Sequence, residues 1–553
     1  MTVELLGTIF TFAGGLGMFI YGMNVMADGL QKAAGDKMKQ LLGLLTNNRF
    51  LAAIVGALVT AIIQSSSATT VMVVGFVNAG IMNLTQAVGV IMGANIGTTV
   101  TSWLVSMNEW SWAEVLKPDF FAPVLIGIGA FIGLFAKKEK KKDVGEILVG
   151  FGVLFVGLSF MSGAIAPYSD SKIFSDAFRI LGKNPLLGIL AGMIVTAIIQ
   201  SAAASVSILQ TLAMNGVVTN QSAIFITLGQ NIGTCVTALL SSAGANRTAK
   251  RAAVIHLLFN TLGAIIFGIG MFVFFSFNPA IAGSEINSVQ ISMFHTIFNV
   301  CNTLLLFPFA NQLVKLSGVI LKDTPEAEAE DEASNVLKHL DERILETPSF
   351  AVENVVKEIL HMGDVALDNL KLSIHCLLKN NTDEVEQVVQ NEETIDMLEK
   401  FITEYLVKIS NLSLTEKQEE IVNHMFYTVS NIERIGDHAE NISELAAKKI
   451  EHNLQFSENA QIEMEEICNK AVESFENAMM ARKTQNIEYV RMVVKMEDAV
   501  DVLEEDLREK HIQRLSQNLC DTETGVIFID TLVNLERVSD HSLNIANYVK
   551  DEL

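Results

Sequence analysis

The heptapeptide Val59-Thr60-Ala61-Ile62-Ile63-Gln64-Ser65 occurs again, residue for residue, as Val195-Thr196-Ala197-Ile198-Ile199-Gln200-Ser201. Asn95-Ile96-Gly97-Thr98 recurs as Asn231-Ile232-Gly233-Thr234 at the same offset of 136, and Gly17, Gly22 and Met26 align with Gly152, Gly157 and Met161 at offset 135. Self-similarity over this length means two copies of one folding unit, here about 5–136 and 144–276. Each heptapeptide ends an apolar run too short to cross a bilayer. Phe50–Gln64 and Ala68–Ala79 flank one serine cluster; as helices these arms reach only about 22 and 18 Å, against a hydrocarbon core of about 30 Å. Leu186–Gln200 and Ala204–Gly216 repeat the arrangement.

Runs of spanning length lie near 5–26, 85–105, 119–136, 144–165, 221–241, 253–276 and 289–311. Basic loops fix the sidedness. Lys32/Lys37/Lys39/Arg49, then Lys137 to Lys142, then Arg247/Lys250/Arg251 all fall on one side only if each short pair enters and returns, and basic loops belong in the cytoplasm. The short pairs are therefore read as re-entrant hairpins. Three spans separate them, so the second copy is inverted: hairpin one enters from the cytosol and hairpin two from outside. The N-terminus is expected outside, with Trp103, Trp110 and Trp112 near the outer interface. Inverted repeats with broken helices are the architecture of secondary transporters, whose site lies at mid-membrane.

Charge divides the rest. Residues 1–322 carry net +6, whereas residues 323–553 carry net −29 and read as amphipathic helices with few Gly or Pro. An acidic linker, 323–334, joins a transmembrane domain (1–322) to a cytoplasmic helical domain (335–553). Nucleic acid is excluded as a partner, because its footprint would be basic. The five cysteines form no CxxC pair, and no P-loop, Rossmann fingerprint or catalytic triad is present, so no enzyme is expected.

Non-helical backbone at membrane depth survives only where protein or a water-filled cavity surrounds it. Gln64, Ser65, Ser66, Ser67, Thr69 and Thr70 suit such a place: small residues turn tightly, and the free N–H groups of the second arm offer an anion site without Lys or Arg. Asn95, Thr98 and Thr99 supply oxygens at a predicted helix break, as do Asn231 and Thr234 in copy two. Gln200, Ser201 and Ser205 form the second tip. Carbonyls freed at the end of the first arm can coordinate a small cation. Carboxylates are scarce in the spans, which favours sodium over proton coupling. His256 and His295 are read as packing residues.

These paired Gln-Ser-Ser-Ser segments resemble the type II sodium/phosphate cotransporters and their bacterial relatives over nearly all of residues 5–311. The resemblance implies that Gln64, Ser65, Ser66, Ser67 and Thr69 bind phosphate and sodium. Copy two departs from it: Ala202 and Ala203 stand where hydroxyls are expected. The implied function is sodium-coupled phosphate symport by alternating access in a bacterial inner membrane. A carrier of another oxyanion, or a membrane-anchored phosphate or metal signalling protein, are the rival readings.

In the acidic half, Glu433-Arg434-Ile435-Gly436-Asp437-His438 recurs as Glu536-Arg537-Val538-Ser539-Asp540-His541, and Glu392/Asp396 recurs as Glu497/Asp501. Each i,i+4 carboxylate pair shares one helix face, at a small cost unless a cation sits between. Oxygen ligands of this kind suit hard or borderline divalent metals. The segment resembles the PhoU family over about 340–553. That resemblance implies two three-helix bundles, a metal cluster of iron or zinc on those eight carboxylates, and a regulatory role. The fold expectation is all-α throughout. The expected partners are phosphate, sodium, lipid, a phosphate-signalling protein and a second copy of the chain.

Overall fold

The computed structural model describes residues 3–43, 48–110, 117–168, 172–322, 340–381 and 384–553. The side chains of Lys37 and Lys39, Trp112 and the linker 323–334 lie outside what is described. Among the described residues all extended regular structure is helical, with one isolated bridge between Thr219 and Glu285. Contacts divide the chain into two units, Met1–Phe350 and Ala351–Leu553.

In the first unit one run of helices is α1 (Val3–Gly43), α2 (Arg49–Ile63), α3 (Ser66–Asn78), α4 (Leu84–Gly97), α5 (Thr99–Ser106) and α6 (Pro118–Phe135). The next is α7 (Glu139–Ile165), α8 (Lys172–Lys183), α9 (Pro185–Ile199), α10 (Ala202–Met214), α11 (Asn220–Gly233), α12 (Cys235–Ser241) and α13 (Arg247–Phe277). Then come α14 (Pro279–Gly283), α15 (Ser288–Leu306) and α16 (Ala310–Ile320). Among the described residues six stretches are long and apolar enough to cross a membrane: Leu5–Ala34, Leu84–Glu109, Glu139–Tyr168, Asn220–Ser241, Arg247–Phe277 and Ser288–Ile320. The chain is a multi-pass membrane protein. The apolar run at 119–136 is the shorter helix α6, and α8, bent 113° from α9, went unread in the sequence.

Local chemistry starts and stops the helices at matching places in both runs. Asn48 and Asn184 cap α2 and α9, accepting from Phe50 N and Leu186 N. Asn83 and Thr219 open α4 and α11 with capping boxes. Such caps satisfy orphan N–H groups, each worth about 1 kcal/mol. Packing is equally matched. A β-carbon added at Gly93 would land on the carbonyl oxygen of Ala53, and one at Gly229 on that of Ile189. α2 therefore lies backbone to backbone on α4, and α9 on α11, as small-residue interfaces permit.

α1 and α7 run antiparallel. A β-carbon at Gly15 would sit 2.8 Å from Gly157 O, and one at Gly150 2.6 Å from Gly22 O. Adding 135 to Gly15 and Gly22 gives Gly150 and Gly157, so the repeat offset exchanges the two contacts.

The second unit holds α17 (Pro348–Lys379), which enters it, with α18 (Val385–Ser410), α19 (Glu416–Glu451), α20 (Glu458–Thr484), α21 (Ile487–Ser516) and α22 (Thr522–Glu552). Val388, Ile395, Leu398 and Ile402 recur at helical spacing on α18 and are fully buried, as are Met425, Val429, Ile432 and Ile435 on α19. Each such side chain contributes about 1.5–3 kcal/mol. The unit carries its own pseudo-symmetry. His438 Nδ1 pairs with Asn534 Oδ1 at 2.9 Å, and His541 Nδ1 with Asn431 Oδ1 at 2.9 Å. The two imidazoles stack at 5.6 Å between them.

Candidate functional site

Both sub-spanning hairpins turn on one device. Gln64 ends α2 and Gln200 ends α9 in the left-handed region, at φ 57° and 56°. A side chain other than Gly pays about 1–2 kcal/mol there, so the turn needs support. Ser65 and Ser201 supply it: extended at φ −141° and −131°, each accepts from the third residue on, Ala68 N or Ala204 N. The second arm thus begins at once. Its first N–H groups and its positive dipole end sit at the tip.

The two tips share one cavity of about 240 Å³. Gln64, Ser65, Ser66 and Ser67 line it from one hairpin, and Gln200, Ser201, Ala202 and Ala203 from the other. Thr98 and, from α1, Ile20, Met23, Asn24 and Ala27 complete the wall with Ile63. No Lys, Arg, Asp or Glu is among the lining residues. The volume falls below the range of about 300–1,000 Å³ usual for organic ligands and is ample for an inorganic ion.

Of the sequence-predicted residues, Gln64, Ser65, Ser66, Ser67, Thr98, Gln200 and Ser201 meet here. The others stand behind the wall. Thr60 donates to Thr69 Oγ1 at 3.0 Å and Thr196 to Ser205 Oγ at 2.7 Å, which ties the two arms of each hairpin. Thr70 bonds Ser66 O at 2.9 Å, Asn95 bonds Ile91 O at 2.8 Å, and Thr99 bonds Ile96 O at 2.8 Å. Asn231 and Thr234 bond Thr227 O at 2.9 Å and Asn231 O at 2.7 Å.

The predicted breaks are slight: Thr98 and Thr234 keep right-handed helical angles. Gly97 and Gly233 serve close packing, since a β-carbon would lie 2.7 Å from Thr60 Cβ or Thr196 Cβ.

Three participants were missed in the sequence. Asn24 lines the cavity, and a lone carboxamide inside an apolar span was its signal. Thr101 donates to Gln64 Oε1 at 2.9 Å; it lies three residues beyond the repeated Asn-Ile-Gly-Thr segment, and its recurrence as Thr237 at the same offset of 136 was visible. Gln230 holds Ser205 O and Oγ at 2.9 and 3.0 Å while its Oε1 is buried without a partner; copy one has Ala94 at that place.

In the second unit Glu497, Asp501 and Asp540 present oxygens within 4.8 Å of one another. Burial, with Asp501 and Asp540 nearby, raises the Glu497 carboxyl above the usual carboxylate range. Glu536 is raised by burial and then by Asp540, which puts it beside the same cluster. In the first bundle Glu392 is pushed up to about 8, by burial first and then by Asp396, Asp437, Glu440 and Glu433. Both its oxygens are buried without partners. Among the described residues only the second-bundle trio converges as a three-ligand set.

A membrane unit whose paired hairpins meet in an uncharged cavity, joined to a helical unit bearing acidic clusters, defines a class. The chain belongs to the Na+/Pi-cotransporter family, which it matches over residues 18–163 and 170–293, and it carries a PhoU domain matched over 359–446 and 464–549. It is a phosphate-transporter family member and not an enzyme.

It is 24% identical over 547 residues to the "Putative inorganic phosphate export protein YjbB" of Salmonella typhimurium, covering 99% of this chain and 98% of that one. It is 30% identical over 308 residues to the "Uncharacterized protein YqeW" of Bacillus subtilis, covering 55% of this chain and 95% of that protein. "Sodium-dependent phosphate transport protein 2A" of Rattus norvegicus matches at 36% over 100 residues, 17% of this chain and 15% of its own. Among solved structures, PhoU from Pseudomonas aeruginosa covers 36% of this chain and 96% of its own at 21% identity, with a TM-score of 0.35.

Proposed function

We propose that this protein moves inorganic phosphate with sodium by alternating access, at the cavity between the two Gln-Ser tips. One observation carries the reading: both tips, built on the same left-handed Gln and capping Ser, line a single uncharged cavity. Phosphate, carrying one to two negative charges at neutral pH, is held by the amino ends of α3 and α10 and by the hydroxyls of Ser65, Ser66, Ser67 and Ser201. Without a fixed cation in the wall, the anion's charge must be offset by a mobile one. Sodium at the carbonyls freed after Ile63 and Ile199, with the oxygens of Gln64, Gln200 and Thr98, does this and completes the pocket.

The copies are inverted, as the antiparallel α1–α7 contact exchanged by the repeat offset supports. Hairpin one then faces the cytosol, the N-terminus lies outside and the acidic domain inside. Rocking one copy against the other opens the site to each side in turn. Each net positive charge moved inward gains about 2.3 kcal/mol per 100 mV. A coupled carrier runs whichever way the summed gradients point, so uptake and export are one mechanism.

The PhoU-like domain regulates this transport. The oxygens of Glu497, Asp501 and Asp540, with Glu536 beside them, suit a divalent metal, which would neutralise the packed carboxylates and hold α21 to α22.

Radiolabelled phosphate flux in proteoliposomes tests the proposal. Flux should require sodium and fall in Gln64→Ala and Ser66→Ala. Equal flux in choline would remove the coupling, and sulfate competing as well as phosphate would favour a general oxyanion carrier.

A further inference from the structure

Residues that lead out of the transport unit into α17 do not hang from it. Ile344 is wholly buried, in a cluster with Met72, Val73 and Phe76 of α3. The Phe350 ring lies 5.1 Å from that of Phe76, and Thr347 Oγ1 reaches Met72 Sδ at 3.1 Å. Polar contacts lock the same segment. Asn78 Nδ2 donates to Asp341 Oδ2 at 2.7 Å, and Arg343 Nε donates to Ser241 O at 2.7 Å, one of the carbonyls left over at the end of α12. Asn78 is itself held by the residue that caps α13, its Oδ1 accepting from Asn246 N at 2.7 Å. The segment therefore bridges the second arm of hairpin one to the end of α12. A connector between domains is ordinarily polar and solvated, whereas this one is folded into the base of the hairpin whose tip lines the cavity.

We propose that residues 341–350 are a strap on hairpin one, that it holds the hairpin in the conformation described here, and that phosphate flux requires it to let go. The inference rests on the transport reading above and adds a route for regulation. The strap continues into α17, the first helix of the PhoU-like domain, so rearrangement of that domain changes the strap's hold by pulling along the chain. The metal-ligand carboxylates need not touch the membrane unit to govern it.

A cross-link tests the strap in the full-length protein. A β-carbon on Gly75 would lie 3.0 Å from Arg343 Cβ, slightly inside the usual disulfide range of about 3.5–4.5 Å, so Gly75→Cys with Arg343→Cys should join. Radiolabelled phosphate flux in sodium should drop at least tenfold when the pair is oxidised and return with dithiothreitol. Undiminished flux in protein shown by mass to be cross-linked overturns the strap. Absence of flux in wild type as well would sink the transport reading instead. Ile344→Asp, which expels the strap, should raise flux at least threefold; a fall in well-folded protein would show a scaffold and not a brake.

Discussion

The two hairpin tips are nearly identical in backbone and unlike in side chains. Gln64 and Gln200 take φ 57° and 56°, and Ser65 and Ser201 cap the following helix in the same way. Yet tip one continues with Ser66 and Ser67 where tip two has Ala202 and Ala203. Gln64 is buried and held by Thr101, while Gln200 is exposed and the equivalent Thr237 hydroxyl is buried without a partner. Duplication preserved what shapes the turn and let go of what decorates it. Backbone N–H groups and helix dipoles are therefore symmetric across the cavity, and the hydroxyls are not. The ion-binding chemistry is expected to lean on hairpin one, with hairpin two as a second anion-facing helix end.

The largest effect should fall equally on both copies, because it concerns the shared scaffold. Gly93→Ala and Gly229→Ala each place a methyl on a main-chain carbonyl of the adjacent arm. Neither helix can retreat without opening its hairpin, so each should cost about 3 kcal/mol or more. Thermal unfolding and monodispersity in detergent will read this, with Gly133→Ala, which meets nothing, as the unaffected control. Damage confined to one copy would break the structural half of the comparison.

The next effect should be one-sided. Converting tip one to the sequence of tip two, by Ser66→Ala with Ser67→Ala, should lower sodium-driven phosphate kcat/KM about hundredfold, equivalent to about 2.7 kcal/mol. The reciprocal Ala202→Ser with Ala203→Ser should leave it within about threefold, since the helix end already supplies that side. Similar losses from both would mean a symmetric site.

Thr101→Val and Thr237→Val sharpen the asymmetry at smaller scale. Thr101→Val takes the donor from a buried Gln64 Oε1, which should cost about 1–1.5 kcal/mol and raise KM for sodium about tenfold. Thr237→Val removes a hydroxyl with no partner and should be neutral or slightly stabilising.

Much of this was legible in the sequence because apolar run length and repeated motifs report on the backbone. The arms and the tips fell within one or two residues of their positions, whereas the predicted helix breaks are slight. Which polar residues face the cavity was less legible. Thr69, Thr70, Asn95, Asn231 and Thr234 carry suitable oxygens, but in a helix a hydroxyl or carboxamide can turn back to a carbonyl three or four residues earlier, and each does so here. Only helix phase and the partner helix decide the matter. Asn24 was overlooked for the converse reason: it faces the cavity from a helix that belongs to neither tip.

The bundles of the PhoU-like domain repeat the lesson with charge. Glu497, Asp501 and Asp540 converge in the second, whereas in the first Glu392 sits behind Gly436, a β-carbon there falling 2.6 Å from Glu392 Oε2. Its carboxyl is pushed up to about 8, chiefly by burial. The folded protein therefore holds a proton that the unfolded chain releases near its ordinary value, so this contribution to stability is full below about pH 4.5 and declines as pH rises toward 8. In chelator, the PhoU-like domain should melt lower at about pH 8 than at about pH 5. Glu392→Gln should flatten that difference by roughly 1 kcal/mol, or about 2–4 °C for a domain of this size. Adding manganese at pH 8 should raise the wild-type melting temperature, and Asp540→Asn should cancel that gain while Glu392→Gln keeps it. If Glu392→Gln removed the metal response and Asp540→Asn did not, the two bundles would have exchanged roles.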